Sequence, residues 1–117
     1  MRAAKAAGLW TVPGIATPTE AFAALAAGAD ALKLFPAEMI GPPVVRALRA
    51  VLPRSVKLIP VGGLTAASLP RYRAAGGDAF GIGAALYRPG KSAAAVRADA
   101  AALLATVSGD RNGAVDV

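Results

Sequence analysis

The hexapeptide Ala26-Ala27-Gly28-Ala29-Asp30-Ala31 recurs as Ala74-Ala75-Gly76-Gly77-Asp78-Ala79, and each copy sits where an alanine-rich stretch gives way to a short apolar run. Glycine at such a seam supplies a helix C-cap, aspartate holds the turn, and the apolar run begins a strand. The two copies therefore mark the ends of two βα units. Across the whole chain, short apolar runs alternate with helical stretches four times, the pattern of a parallel sheet and of an α/β fold.

The first strand is expected at about Leu9 to Val12, followed by the loop Pro13-Gly14-Ile15-Ala16. Thr17-Pro18-Thr19-Glu20 then carries a strong helix start: Thr17 caps, Pro18 takes the first helical position and Glu20 closes a capping box, so the helix runs to Gly28. The second strand is Ala31 to Phe35, and a helix from about Pro43 to Leu52 is stopped by Pro53. A third strand spans Val56 to Val61 and ends in Gly62-Gly63, after which Thr65 and Ser68 offer caps for a helix reaching Ala75. The fourth strand is Ala79 to Ile82. Ser92 caps a last helix in which Val96, Ala100, Leu103, Leu104 and Val107 share one face. These units fill residues 1–107 as one partial domain, and residues 108–117, where periodicity is lost, read as a tail.

Composition removes many function classes. Of 117 residues 56% are hydrophobic and 17% charged, which is the balance of a chain with a packed core. No apolar stretch is long enough to span a bilayer, the N-terminus lacks the apolar segment of a secretory signal, and there is no cysteine, so no membrane contact is expected and the cytoplasm is the expected location. With neither Cys nor His, metal sites of the usual zinc kind and histidine or cysteine catalysis are excluded, and no cofactor is expected. The net charge of +6 comes from basic residues scattered singly from Arg2 to Arg111, without aromatics interleaved. That distribution suits a small anionic substrate rather than nucleic acid.

Lys33 stands alone among apolar residues in Ala31-Leu32-Lys33-Leu34-Phe35-Pro36. Burying an ammonium is costly, and a lysine so placed either snorkels to the strand end or is held neutral, in which state its amine can attack a carbonyl and form a Schiff base. Alternation puts Ala31, Lys33 and Phe35 on one side of the strand and Leu32 and Leu34 on the other. Lys57, in Val56-Lys57-Leu58-Ile59-Pro60, has a similar context but begins its strand, roughly 13 to 16 Å from the Gly62 end at strand rise. A solvated strand-end lysine accounts for it.

Four parallel units do not readily close a barrel, whereas eight do, at roughly 200 to 250 residues. An open four-stranded sheet is the alternative, although no G-x-G-x-x-G loop follows the first strand to suggest a dinucleotide fold.

Four segments taken together carry a resemblance: Pro13-Gly14-Ile15-Ala16-Thr17-Pro18-Thr19-Glu20-Ala21, Leu32-Lys33-Leu34-Phe35-Pro36-Ala37-Glu38, Val61-Gly62-Gly63 and Gly81-Ile82-Gly83. In motif, order and spacing the chain, from about Arg2 to Val107, resembles the second half of the Schiff-base aldolases that act on 2-keto-3-deoxy-6-phosphogluconate and 2-dehydro-3-deoxy-6-phosphogalactonate. The resemblance implies the C-terminal half of a TIM (β/α)8 barrel, strands five to eight, with Lys33 on strand six as the catalytic amine. It implies a carbon–carbon lyase whose products are pyruvate and D-glyceraldehyde 3-phosphate, a phosphorylated 2-keto-3-deoxy sugar acid as substrate, and a homo-oligomer, a trimer.

Barrels often bind phosphate at the ends of strands seven and eight, which by this resemblance are the Gly62-Gly63 and Gly81-Ile82-Gly83-Ala84 segments. Gly62, Gly63, Gly83 and Ala84 are accordingly candidate phosphate ligands. The family usually has serine where Ala84 stands, which removes one hydroxyl from the phosphate. Arg88 follows closely and can either assist or lie on the surface. Val61 bears on the substrate: the phosphogluconate branch has threonine there and the phosphogalactonate branch valine, and Pro-Thr-Glu-Ala and Leu86-Tyr87-Arg88 also look like the latter. Pro13 and Phe35 are expected to shape the pocket wall. Thr17 and Thr19 are explained by capping, and Glu38, after Pro36, by a solvated loop.

The family's general-base glutamate and carboxylate-binding arginine come from the early strands and have no counterpart here. Three readings follow: an aldolase half needing an N-terminal half-barrel, a non-catalytic phosphosugar-binding remnant, or a half-barrel that closes as a homodimer. The last places two Lys33 sites in one barrel without supplying the base.

Overall fold

The computed structural model describes residues 1–108; the expected tail, apart from Ser108, lies outside the described residues. The elements run α1 (Arg2–Ala6), β1 (Gly14–Ile15), α2 (Pro18–Ala26), β2 (Ala31–Leu34), α3 (Ala37–Val51), β3 (Lys57–Pro60), α4 (Leu69–Ala74) and α5 (Ala93–Ser108). The three strands form one parallel sheet in the order β1-β2-β3, so the fold is α/β.

The register explains the burial pattern. Ile15, Leu34 and Pro60 form one row and Leu32 and Leu58 another, and all five are buried under the helices with Val45, Leu48 and Leu69. Gly14, Lys33 and Ile59 form the intervening row, on the face that no helix covers. Period-two alternation thus places Leu32 and Leu34 in the core and Lys33 on the other face, as the sequence of β2 predicts, although Ala31 on the Lys33 side is buried as well.

Both copies of the repeated hexapeptide do the same work. Gly28 and Gly76 sit at positive φ, 86° and 104°, where they end α2 and α4. Asp30 then accepts from the Thr11 N–H at 2.7 Å, and Asp78 from the Leu58 N–H at 2.8 Å. Each aspartate also donates its own N–H to the carbonyl of that same residue, Thr11 at 3.0 Å and Leu58 at 2.9 Å. The repeat is therefore a clamp that fastens an incoming segment to the strand before it. Cations close each clamp: Lys5 on Asp30, and Arg49 with Lys57 on Asp78.

The Lys5 and Thr11 hydrogen bonds hold the Asp30 carboxyl down, from 3.8 to about 2. Because the folded value lies below the unfolded one, the stabilisation from Asp30 is whole above pH 3.8 and is lost as the pH falls toward about 2. In urea titrations between pH 5 and pH 2 on the order of these pKa values, the stability gap between wild type and Asp30→Asn is expected to narrow as acid is added. A gap that stays constant would contradict the clamp.

The capping box of α2 forms as expected: Thr17 Oγ1 accepts from the Glu20 N–H at 3.3 Å, and Glu20 accepts from the Ala16 and Thr17 N–H groups at 2.7 and 2.9 Å. The Thr17 hydroxyl also donates to the Glu20 carboxylate at 3.0 Å, and the Ala16 N–H first, then this hydroxyl and the Thr17 N–H, lower the Glu20 pKa. At the start of α5, Ser92 Oγ accepts from the Ala95 N–H at 3.2 Å.

Several expectations need correction. The first strand is not Leu9 to Val12: the paired residues are Gly14 and Ile15, while Leu9 and Trp10 are 59% and 79% exposed. The segment is an edge, joined to β2 on one side only, through the Thr11, Pro13 and Ile15 carbonyls. The fourth strand, Ala79 to Ile82, reduces to a single parallel bridge between Val61 and Gly81, so the fourth unit has a helix without a full strand. Phe80 and Ile82 of that segment pack against the core, but nothing pairs with its far edge among the described residues. The helix expected from Pro43 begins earlier, at Ala37, as a short piece interrupted at Gly41, whose φ is 72°. In α5, Leu103 is buried but Leu104 is 63% exposed, one helical step off the stripe. The helix α1 was not expected from the apolar pattern, being short and alanine-rich.

Candidate active site

The C-terminal ends of β2 and β3 and the Gly81 bridge converge on one edge of the sheet. The turn after β2 is fastened there by three hydrogen bonds: the Val61 N–H donates to Leu34 O at 2.9 Å, the Ala37 N–H to Val61 O at 2.8 Å, and the Tyr72 hydroxyl to Ala37 O at 2.6 Å. Tyr72 is buried, which pushes its phenol pKa up and keeps it a donor. β2 and its following turn are thus a rigid mount for Lys33 and Phe35.

Lys33 lies on the open face, with its N–H donating to Pro13 O at 2.9 Å and its Nζ 5.1 Å from the centre of the Phe35 ring. It is half-buried rather than enclosed, because no element among the described residues covers the face it occupies. Gly14 on β1 makes room for its arm: a Cβ at that position would stand 3.3 Å from Lys33 Cε. The need for glycine there was not legible beyond the turn-like Pro13-Gly14, since it arises from a neighbour across the sheet.

Phe35, 50% exposed, links the lysine to the glycines. A Cβ on Gly62 would meet the Phe35 ring at 3.2 Å. Beyond it a cleft of about 520 Å³ opens, and Phe35, Val61, Gly62, Gly63, Gly83 and Ala84 all line it. Six of the eight residues singled out from sequence are therefore brought together here. Lys33 adjoins the cleft through Phe35 without lining it, and Pro13, whose carbonyl accepts from the Lys33 N–H, does not line it either.

The glycines differ in what they require. Gly62 and Gly63 take positive φ, 106° and 64°, so turn geometry alone accounts for them. At Gly63 a Cβ would also collide with the Glu38 side chain, and at Gly81 with Val61. Gly83 has no such constraint: nothing lies within 4 Å of the place its Cβ would occupy. Sequence reasoning overlooked Thr65 at this cleft because it was assigned to capping; the Thr65 N–H and carbonyl in fact bond the Ser68 hydroxyl, at 3.0 and 3.1 Å, which leaves the Thr65 side chain on the cleft wall.

A larger cleft, about 790 Å³, opens at the opposite ends of the strands and includes Trp10, Arg49, Lys57 and Asp78. Arg49 and Lys57 pair with Asp78 there at 2.6 and 3.6 Å, and Arg73 donates to the Asp78 carbonyl at 3.3 Å, while Arg54 also lines this cleft. Lys57 is exposed at the first residue of β3, so position separates it from Lys33 as expected. The smaller cleft is the one that adjoins Lys33, through the Phe35 ring.

A model of the KDPG and KHG aldolase family matches residues 1–100. The chain belongs to this family. It is 49% identical over 105 residues to a Rhizobium meliloti protein named "Probable 2-dehydro-3-deoxy-6-phosphogalactonate aldolase", covering 90% of this chain and 50% of that one. It is 44% identical over 104 residues to the 2-dehydro-3-deoxy-6-phosphogalactonate aldolase of Escherichia coli, covering 89% and 51%. A solved structure described as native KDPGal superposes with a TM-score of 0.82 at 44% identity, over 85% of this chain and 48% of that one. The chain thus spans about half the length of the curated relatives it matches. Among the described residues, no helix is long and apolar enough to cross a membrane.

Proposed function

We propose that this chain supplies the Schiff-base half of a class I aldolase that cleaves 2-dehydro-3-deoxy-6-phosphogalactonate to pyruvate and D-glyceraldehyde 3-phosphate. The observation that carries the reading is Lys33 on the open face at the end of the central strand, joined through Phe35 to a cleft walled by glycines. The architecture proposed with it is half of a (β/α)8 barrel, residues 1–107 being strands five to eight with their helices, the eighth reduced to the Val61–Gly81 bridge. The open face of Gly14, Lys33 and Ile59 is the barrel interior in this reading.

The Lys33 amine attacks the keto carbon of the substrate and loses water to form an iminium. The bond between the third and fourth carbons then breaks, its electron pair moving into the iminium to give an enamine as the aldehyde departs. Protonation and hydrolysis of the enamine release pyruvate and restore the amine. The departing aldehyde keeps the phosphate, which Gly62, Gly63, Gly83 and Ala84 hold through backbone groups. Proton transfer and binding of the substrate carboxylate fall to the half of the relatives that this chain does not span. The family resemblance also supports a homo-oligomer, a trimer, as the working assembly.

Val61 on the cleft wall favours the phosphogalactonate substrate over its phosphogluconate epimer, since an apolar wall and a hydroxyl-bearing one discriminate between configurations of a hydroxyl. The test is pyruvate release from each epimer by the chain alone and mixed with the N-terminal half of the Escherichia coli relative. Faster release from the galactonate epimer is expected in the mixture. Faster release from the gluconate epimer would reverse the substrate assignment, and none from either would leave a phosphosugar-binding remnant.

A further inference from the structure

We propose that Arg88 supplies the counter-charge for the phosphate in the Gly62–Gly83 cleft; this deepens the phosphosugar reading and rests on it. Only Thr65 and Arg88 among the lining residues carry polar side chains; the rest are glycine, alanine or larger apolar residues. Backbone N–H groups orient a phosphate but offer partial charges, and a dianion held between apolar walls needs a full one. Arg88 is the one cation that lines this cleft among the described residues.

Its placement follows from the turn that precedes it. The Leu86 and Tyr87 N–H groups donate to Gly83 O at 2.9 and 3.1 Å, which folds the chain back on itself. Arg88 Nε then donates to Ala84 O at 3.2 Å. That bond uses one donor and sets the guanidinium beside Gly83 and Ala84, while the terminal nitrogens have no hydrogen-bond partner among the described residues. Arg49 is the contrast: its terminal nitrogens are occupied by Val56 O, Gly76 O and Asp78, a structural role that leaves little for a ligand. The Arg88 fork suits two phosphate oxygens at once. The Glu38 side chain packs against Gly63, and its carboxylate disfavours a dianion at that glycine, which increases the need for a cation in the cleft. With no hydroxyl at position 84, selectivity for phosphorylated over unphosphorylated substrate rests chiefly on this side chain.

The test is an amide NMR titration of the chain with inorganic phosphate, following Gly62, Gly63 and Gly83, in wild type, R88A and R88K. Arg88 is exposed and makes a single internal hydrogen bond, so R88A keeps the fold, which the same spectra report. Phosphate is expected to shift these amides in wild type, with Kd raised about tenfold or more in R88A and partly restored in R88K, which keeps the charge. Equal affinity in wild type and R88A, or no recovery in R88K, would overturn the role of Arg88 while leaving the cleft a phosphate site. No shift of the cleft amides in wild type would overturn the phosphate reading itself and Arg88 with it.

Discussion

Lys33→Arg is expected to reduce pyruvate release in the complemented assay by on the order of 10⁴ or more while leaving the thermal midpoint nearly unchanged. Arginine keeps a cation above the Phe35 ring, where Lys33 Nζ sits 5.1 Å from the centroid, so packing and charge on the open face persist. A guanidinium stays protonated and cannot condense with a ketone. The covalent route is closed without disturbing the mount built from β2, Val61 and Tyr72. Lys57→Arg serves as the control and is expected to leave turnover alone, because Lys57 lies at the other end of its strand, exposed and paired with Asp78. Equal losses in the two variants, measured as kcat with the fold checked by circular dichroism, would contradict the assignment.

Leu58→Ala is expected to cost about 2–5 kcal/mol of stability. Leu58 is fully buried, it sits opposite Leu32 in the sheet, and its N–H is the group held by Asp78, so the site is pinned from three directions and cannot collapse around the missing atoms. A small domain with an open sheet face has little stability in reserve, and a loss of this size unfolds a large share of it. Urea denaturation read at a fixed temperature measures the effect, with the midpoint falling and the slope unchanged. A loss below about 1 kcal/mol would show that the core is not organised around β3.

What could be read from sequence was whatever depends on near neighbours along the chain. The capping box at Thr17 and Glu20 is written in four consecutive residues and appears where expected, whereas the hexapeptides read only as caps and turns, and the reach of Asp30 to Thr11 and of Asp78 to Leu58 is a long-range feature. The face assignment of Lys33 followed from alternation alone. Features set by long-range pairing were harder. Whether Leu9 to Val12 or Gly14 to Ile15 forms the strand depends on the β2 register, and the fate of Ala79 to Ile82 depends on having a partner on its far side. The glycine at position 14 is explained by the arm of Lys33, and Thr65 reaches the cleft because Ser68 takes over the local hydrogen bonding. Neither relation leaves a mark in the adjacent sequence. The six residues that meet at the cleft were found through their motifs.

The most direct test is to incubate the chain with pyruvate and a hydride reductant and to locate the reduced adduct by peptide mass. A single adduct on Lys33 is the predicted result, since reduction traps the imine that the amine forms with the keto carbon. No adduct, or labelling spread over Lys5, Lys57 and Lys91 as well, would contradict the assignment of Lys33 as the Schiff-base lysine.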